Sequence, residues 1–282
     1  MLALASTFGL GAGFVLTQFG LRWVPPWLGV AISIPTSTLL FWCLAPFFVD
    51  PNNGNLKAVA LFACVGLFFP GTVALLNFES NRLMGPNIAG TLSSMTPVFA
   101  IVLAIVMLGE HVRGFQLLAL AAIVVGIALM YRGQVSLSGR SSWLLALPIA
   151  ASAIRGVIQP IIKFGFEWWP NPIAAVVVSY TVSSAVLILS ALGRAGRSIP
   201  MIDHRGALWF AMVGLCNGLS VLAMYGALEY GPVAVISPLI ASYPLVTLLL
   251  SRVFLRKEDL GPQLIAGVAA TACGVVLLLV AK

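Results

Sequence analysis

A guanidinium in the middle of an apolar run needs a reason to be there. Arg155 lies near the centre of the run Ser142–Ile162. At the middle of a membrane helix a charged side chain costs about 2.5–3.5 kcal/mol or more, and it usually has a function. Ser152, Arg155, Gln159 and Lys163 recur at spacings of three, four and four, which sets them on one face of a helix. That stripe must face the inside of a bundle or a wet cavity. A forked cation suits a carboxylate. The plainer alternative is an arginine that caps backbone carbonyls.

Other polar side chains lie within apolar runs: Gln18, Asn77, Ser94, Thr96, Tyr180, Asn217, Tyr225 and Tyr243. Serine and threonine there more often bond their own backbone or join helices. Asn217 carries more weight, because a mid-span amide needs partners. Glu79 falls just past the third run, three residues before Arg82. It is either a carboxylate inside the membrane boundary or half of an interfacial i, i+3 pair. Candidates to touch a bound small molecule are Arg155, Gln159, Asn77, Glu79, Ser94, Thr96, Asn217, Tyr225 and Tyr243. A tyrosine at 225 or 243 suits an apolar or aromatic group.

Enzyme chemistry finds no support. The two histidines, His111 and His204, are placed in loops, away from any nucleophile. No H-E-x-x-H, P-loop or G-x-G-x-x-G occurs in a suitable context, so no metal, no cofactor and no ATP hydrolysis is expected. Cys43, Cys64, Cys216 and Cys273 all lie in apolar runs without a C-x-x-C pair; they read as packing residues.

The elements that must position these groups follow from composition. The chain has 282 residues, 60% of them hydrophobic and 8% charged, with a mean hydropathy of +1.06. A soluble domain carries about 25% charged residues, so the surplus apolar surface must face lipid. Ten runs can be marked: Leu2–Leu21, Trp27–Val49, Ala58–Phe78, Asn87–Leu108, Gly114–Tyr131, Ser142–Ile162, Pro172–Leu192, Gly206–Leu228, Pro232–Leu255 and Pro262–Ala281. Each approaches the roughly 20 residues a span needs. The runs do not alternate, which points to helices rather than a barrel. Leu2–Leu21 is too long for a signal-peptide core and reads as the first span. Trp23, Trp27, Trp143, Trp168, Trp169 and Trp209 cluster at run ends, as interfacial anchors do. The net charge of +7 is spread between the runs, so no nucleic-acid partner is expected.

The chain also repeats itself. Trp23-Val24-Pro25 matches Trp168-Trp169-Pro170, Gly85-Pro86 matches Gly231-Pro232, Thr96-Pro97 matches Tyr243-Pro244, and Gly114-Phe115-Gln116-Leu117 matches Gly261-Pro262-Gln263-Leu264. The offset drifts only between 145 and 147 residues. The chain divides into a first five-helix repeat over 1–131, a connection over 132–141 and a second repeat over 142–282. Five spans per repeat is odd, so the second repeat enters the membrane from the opposite side. The expected fold is all-α: a polytopic membrane protein of ten transmembrane helices in two inverted five-helix repeats, the build of secondary transporters. Binding sites in such folds lie near the midplane, at broken helices. Pro97 and Pro244 mark such a pair, as helix breaks or gates, and the fourth and ninth helices are expected to line the cavity. The plainer reading is a pair of tolerated kinks.

The Gly-Pro turn entering the fourth and ninth spans, the proline within each, and the exit Leu108-Gly109-Glu110 resemble the EamA-type branch of the drug/metabolite transporter superfamily. The second repeat departs at its exit, reading Leu255-Arg256-Lys257-Glu258. The resemblance covers essentially the whole chain. It implies alternating-access export of small metabolites, amino acids among them, across a bacterial inner membrane. Small multidrug members use a glutamate in the first helix; the run Leu2–Leu21 contains no acid, so that mechanism does not carry over.

Basic residues are unevenly shared. Arg22, Arg82, Arg132, Arg140, Arg194, Arg197, Arg205, Arg252, Arg256 and Lys257 fall on one side; Lys57, Arg113, Lys163 and Lys282 fall on the other. The positive-inside rule makes the richer side cytoplasmic and puts both termini outside, whereas the resemblance implies cytoplasmic termini. The expected partners are a small-molecule substrate and the lipid bilayer. A monomer would suffice, since both repeats are in one chain. The leading reading is an amino-acid or similar small-metabolite exporter. An exporter of hydrophobic drugs would leave Arg155 purely structural, and a non-transporting scaffold or receptor would show no flux.

Overall fold

The structure is a computed structural model, and it describes residues 1–50, 54–111, 114–134, 142–194, 203–255 and 262–280. Residues 135–141 of the connection and 256–261, which hold Arg256, Lys257 and Glu258, lie outside the described residues. So do Arg113, Arg197 and Lys282.

The first half runs α1 (Leu2–Gly20), α2 (Pro26–Phe48), α3 (Leu56–Phe68), α4 (Gly71–Met84), α5 (Pro86–Ser93), α6 (Thr96–Leu108) and α7 (Gly114–Gln134). The second runs α8 (Ala146–Phe166), α9 (Pro172–Arg194), α10 (His204–Tyr230), α11 (Val233–Ile240), α12 (Tyr243–Leu255) and α13 (Pro262–Val280). Three spans are built from two half-helices: α3 with α4, α5 with α6, and α11 with α12. Eight stretches of the described chain are long and apolar enough to cross a bilayer, and shorter apolar segments within α7 and α13 complete the ten. His204, placed in a loop by sequence, opens α10, where Asp203 caps the helix by accepting from the Arg205 N–H.

Burial runs opposite to that of a soluble protein. Leu39, Val106, Leu189 and Leu249 are between 66% and 76% exposed on the outside. Asn81, Ser80, Thr91, Ser179 and Thr247 are wholly buried. Apolar side chains face lipid, and polar ones turn inside, where Ser80, Ser179 and Thr247 donate to backbone carbonyls. Small residues allow the close approach this requires. A Cβ on Gly13 would fall 2.0 Å from Asn217 Oδ1, one on Gly9 2.8 Å from Ser220 Cβ, and one on Gly126 2.7 Å from the Gly267 carbonyl oxygen. The Gly9–Gly13 pair, one helical turn apart, thus lets α1 close onto α10.

The packing obeys a two-fold exchange of halves. α1 packs on α10 and α12; its counterpart α8 packs on α4 and α6. α2 meets α9, and α7 meets α13, each pair being its own counterpart. Across the first of these pairs, Thr38 Oγ1 lies 2.7 Å from Ser184 Oγ. Five spans per half make the two halves inverted repeats. The fold is therefore the ten-helix, two-repeat all-α membrane architecture.

Both repeats break their fourth span at one place, with one geometry. Val98 N–H donates to the Met95 carbonyl at 3.1 Å, and Leu245 N–H to the Ser242 carbonyl at 3.0 Å. Pro97 and Pro244 each occupy the second position of the half-helix that follows. An N–H in a first turn has no intrahelical partner, so proline loses nothing there. The prolines start a helix rather than kink one. Carbonyls freed upstream are taken up locally: Ser94 Oγ donates to Thr91 O at 2.6 Å, Thr96 Oγ1 to Ser93 O at 3.0 Å and Ser242 Oγ to Leu239 O at 2.7 Å. The third span breaks as well, at Phe69-Pro70 between α3 and α4, where the sequence had suggested one continuous run. Its counterpart α10 is unbroken.

Candidate functional site

A cavity of about 50 Å³ lies between the halves. Leu10, Gly13, Phe14 and Thr17 of α1, Ser33, Ile34 and Ser37 of α2, and the break residues Phe69 and Pro70 form part of its wall. Val73, Ala74, Asn77, Phe78 and Asn81 of α4 extend it, and the second half closes it with Arg155, Tyr180, Gly214, Asn217 and Val221. Arg155 is near the middle of α8, while Thr17 and Asn81 are each three residues from the end of their helix. The cavity therefore reaches from mid-membrane towards the end of the bundle at which α1 and α4 finish. A drug-sized ligand takes some 300–1,000 Å³, so this conformation is closed around Arg155 and must widen to admit a metabolite. Larger hollows of about 500 and 440 Å³ lie on the outer surface. The first is lined by apolar side chains of α3 and α8 and faces lipid.

Arg155 is 6% exposed. Its helix carries Ser152, Arg155 and Gln159 inwards, all buried. Gly156, beside it, sits against the Thr96 carbonyl, where a Cβ would come within 2.7 Å. That close approach of α8 to α6 holds the guanidinium at its depth. Among the described residues no carboxylate pairs with Arg155, and no acidic side chain lines the cavity. Its neighbours are phenols: Tyr180 and Tyr243 both lie within its electrostatic reach. A buried cation without a counter-charge is expensive, so the surroundings of Arg155 favour a negative charge beside it.

The amides come from both halves. Asn77 Oδ1 and Ser93 Oγ are 2.8 Å apart, which ties α4 to the broken fourth span. Asn81, one turn on, donates from Nδ2 to the Phe14 carbonyl at 2.8 Å. Asn217 rests on Gly13 from the α10 side. Tyr243 stands behind the wall and stacks on Phe14, ring centroids 5.4 Å apart at 9°.

Of the residues singled out by sequence, Arg155, Asn77 and Asn217 come together on the cavity wall. Gln159 is buried one turn away, with Nε2 3.8 Å from Met224 Sδ. Tyr225 is wholly buried against Phe69 and Phe166. Ser94 and Thr96 hold their own backbone at the break. Glu79 does not reach the cavity. Its carboxylate is engaged by Arg82, whose Nε donates at 3.1 Å, on a partly exposed edge of α4. The fourth and ninth spans do not line the cavity either: they back it, through Ser93 and Tyr243, because the break at Phe69-Pro70 occupies the wall instead. Asn81, Thr17, Ser33 and Ser37 were not singled out by sequence, and Tyr180 was noted only as an embedded polar group. The i, i+4 spacing of Asn77 and Asn81 was the available signal for Asn81. No such signal marks a lone serine.

At the opposite end of the bundle the halves are joined. Glu110, just past α6, accepts the Val233 and Ala234 N–H groups at the start of α11, each at 2.9 Å. Lys163, near the end of α8, stands 3.4 Å from that carboxylate and also donates to the Gly231 carbonyl.

Comparison with known proteins agrees with this architecture. The model of the EamA-like transporter family matches residues 1–132 and again 141–280. A solved crystal structure, described simply as that of a protein, superposes with a TM-score of 0.76 at 16% identity, covering 99% of this chain and 96% of the other. That likeness is one of fold. No curated protein matches the sequence.

Proposed function

Because the chain belongs to the EamA-like transporter family, we propose that it exports small carboxylate-bearing metabolites, amino acids foremost, by alternating access between its two halves. As a helical bundle it suits a bacterial inner membrane. The observation that carries this reading is Arg155, a buried guanidinium in the inter-repeat cavity without a carboxylate partner among the described residues. A substrate carboxylate would supply the missing charge, through hydrogen bonds that contribute about 1.5–3 kcal/mol. Asn77, Asn217 and Tyr180 offer neutral polar contacts beside it, and Phe14, Phe69 and Phe78 offer apolar surface.

Two features support alternating access. The cavity reaches towards one end of the bundle only, while the Glu110–Lys163 junction binds the halves at the other. The paired breaks in the fourth and ninth spans are sites at which half-helices can tilt without losing further backbone bonds.

The test is a flux screen of the purified protein in liposomes against amino acids, sugars and cationic dyes. Saturable amino-acid flux is the expected result. Flux of dyes without amino acids would favour a drug exporter with a structural Arg155, and absence of any flux would favour a scaffold.

A further inference from the structure

We propose that Asn81 reads the hydrogen-donating end of the substrate and so sets a preference for amino acids over carboxylic acids that lack an amine. This rests on the reading of Arg155 as the carboxylate anchor.

Asn81 is wholly buried on the cavity wall. Its Nδ2 donates to the Phe14 carbonyl at 2.8 Å. A carbonyl oxygen only accepts, so the amide cannot be turned over, and the position of Oδ1 is fixed by chemistry. Among the described residues that oxygen has no hydrogen-bond partner. Ser33 Oγ, on the α2 side of the same cavity, has none either. Buried acceptors without partners are rare in folded proteins and costly to keep. Two on one wall are accounted for if an incoming molecule supplies the donors. Arg155 offers only donors, so the cavity is bipolar. A ligand with a carboxylate and an ammonium satisfies both poles, while a bare carboxylate leaves Asn81 Oδ1 unmet. Sites of this kind discriminate strongly, because the analogue that lacks the group strands a buried polar atom.

The experiment compares phenylalanine with 3-phenylpropanoate, the same skeleton without the amine, as flux into liposomes bearing the full chain, with protein-free liposomes subtracted. The parent is expected to favour phenylalanine by about tenfold or more. Asn81→Leu should remove most of that preference while 3-phenylpropanoate flux persists; damage to the fold would lower both fluxes and leave their ratio unchanged. Ser33→Ala, a smaller change, should lower the ratio about threefold and carries the test should Asn81→Leu fail to fold. An unchanged ratio in every variant that folds overturns the role of Asn81, and so does a parent that moves both compounds equally, while the Arg155 reading survives either result. A parent that moves neither compound removes the carboxylate reading itself, and this inference with it.

Discussion

Lys163 Nζ stands 3.4 Å from a carboxylate oxygen of Glu110, and through this pair the exit of the first repeat is bound to the second. The carboxylate also caps α11 by accepting from two backbone N–H groups, where the helix dipole favours negative charge. Hydrogen bonds to a charged group contribute about 1.5–3 kcal/mol. Glu110→Gln should therefore shift the closed end towards opening by roughly tenfold. Ser237, one turn into α11 and buried, is a suitable reporter once changed to cysteine in a background without the native thiols. Its labelling by a membrane-impermeant thiol reagent should rise in Glu110→Gln and in Lys163→Met. Unaltered labelling would show that the pair does not hold this end shut.

The two ends are chemically unequal. The offset of 145 residues that relates Trp23 to Trp168 also relates Gln18 to Lys163, and Gln18 Oε1 is buried without a partner among the described residues. The end with the cation is closed and the end with the amide carries the cavity, in keeping with the stronger bond of a charged donor.

Arg155→Ala should lower flux of carboxylate-bearing substrates about tenfold or more. Arg155→Lys should recover only part, since an ammonium cannot reproduce the bidentate fork. Flux per folded molecule, measured beside melting temperature, is the decisive quantity. A destabilised Arg155→Ala protein with normal flux would assign the arginine to structure alone.

Gly13→Ala and Gly126→Ala should differ in kind. At Gly13 the new methyl meets the amide end of Asn217, which can swing aside, so the fold should survive while substrate affinity falls. At Gly126 it meets backbone, the Thr271 nitrogen at 2.6 Å and the Gly267 oxygen at 2.7 Å. Helices must part there, at a cost of about 1–3 kcal/mol. Thermal unfolding of both variants, alongside substrate titration, distinguishes the two. Equal melting temperatures would contradict the close α7–α13 approach.

Glu79→Gln should change little. The carboxylate belongs to a partly exposed i, i+3 pair with Arg82, and such pairs contribute about 0.2–0.5 kcal/mol. Both flux and melting temperature should match the parent; a marked loss of flux would return Glu79 to the transport path.

Much of this molecule was legible before any coordinates. Hydropathy and the 145–147 residue offset determine ten spans in two inverted halves, because each span must satisfy its backbone within itself and an odd repeat must flip. The mid-run position of Arg155 and the stripe with Gln159 likewise put it inside the bundle. What only the tertiary structure decided is which helices meet at that depth. Glu79 and Asn81 are two residues apart, yet one turns to an arginine at the edge and the other to the cavity, because helical twist carries them to different faces and packing chooses the inner one. Pro97 and Pro244 read as breaks that line the site, but the break at Phe69-Pro70 fills that wall and leaves them behind it. Glu110 read as part of a short exit turn; that it caps α11, 123 residues further on, is a relation between helix ends in space. Periodicity reports the face of one helix, and a site between two halves depends on how several faces are brought together.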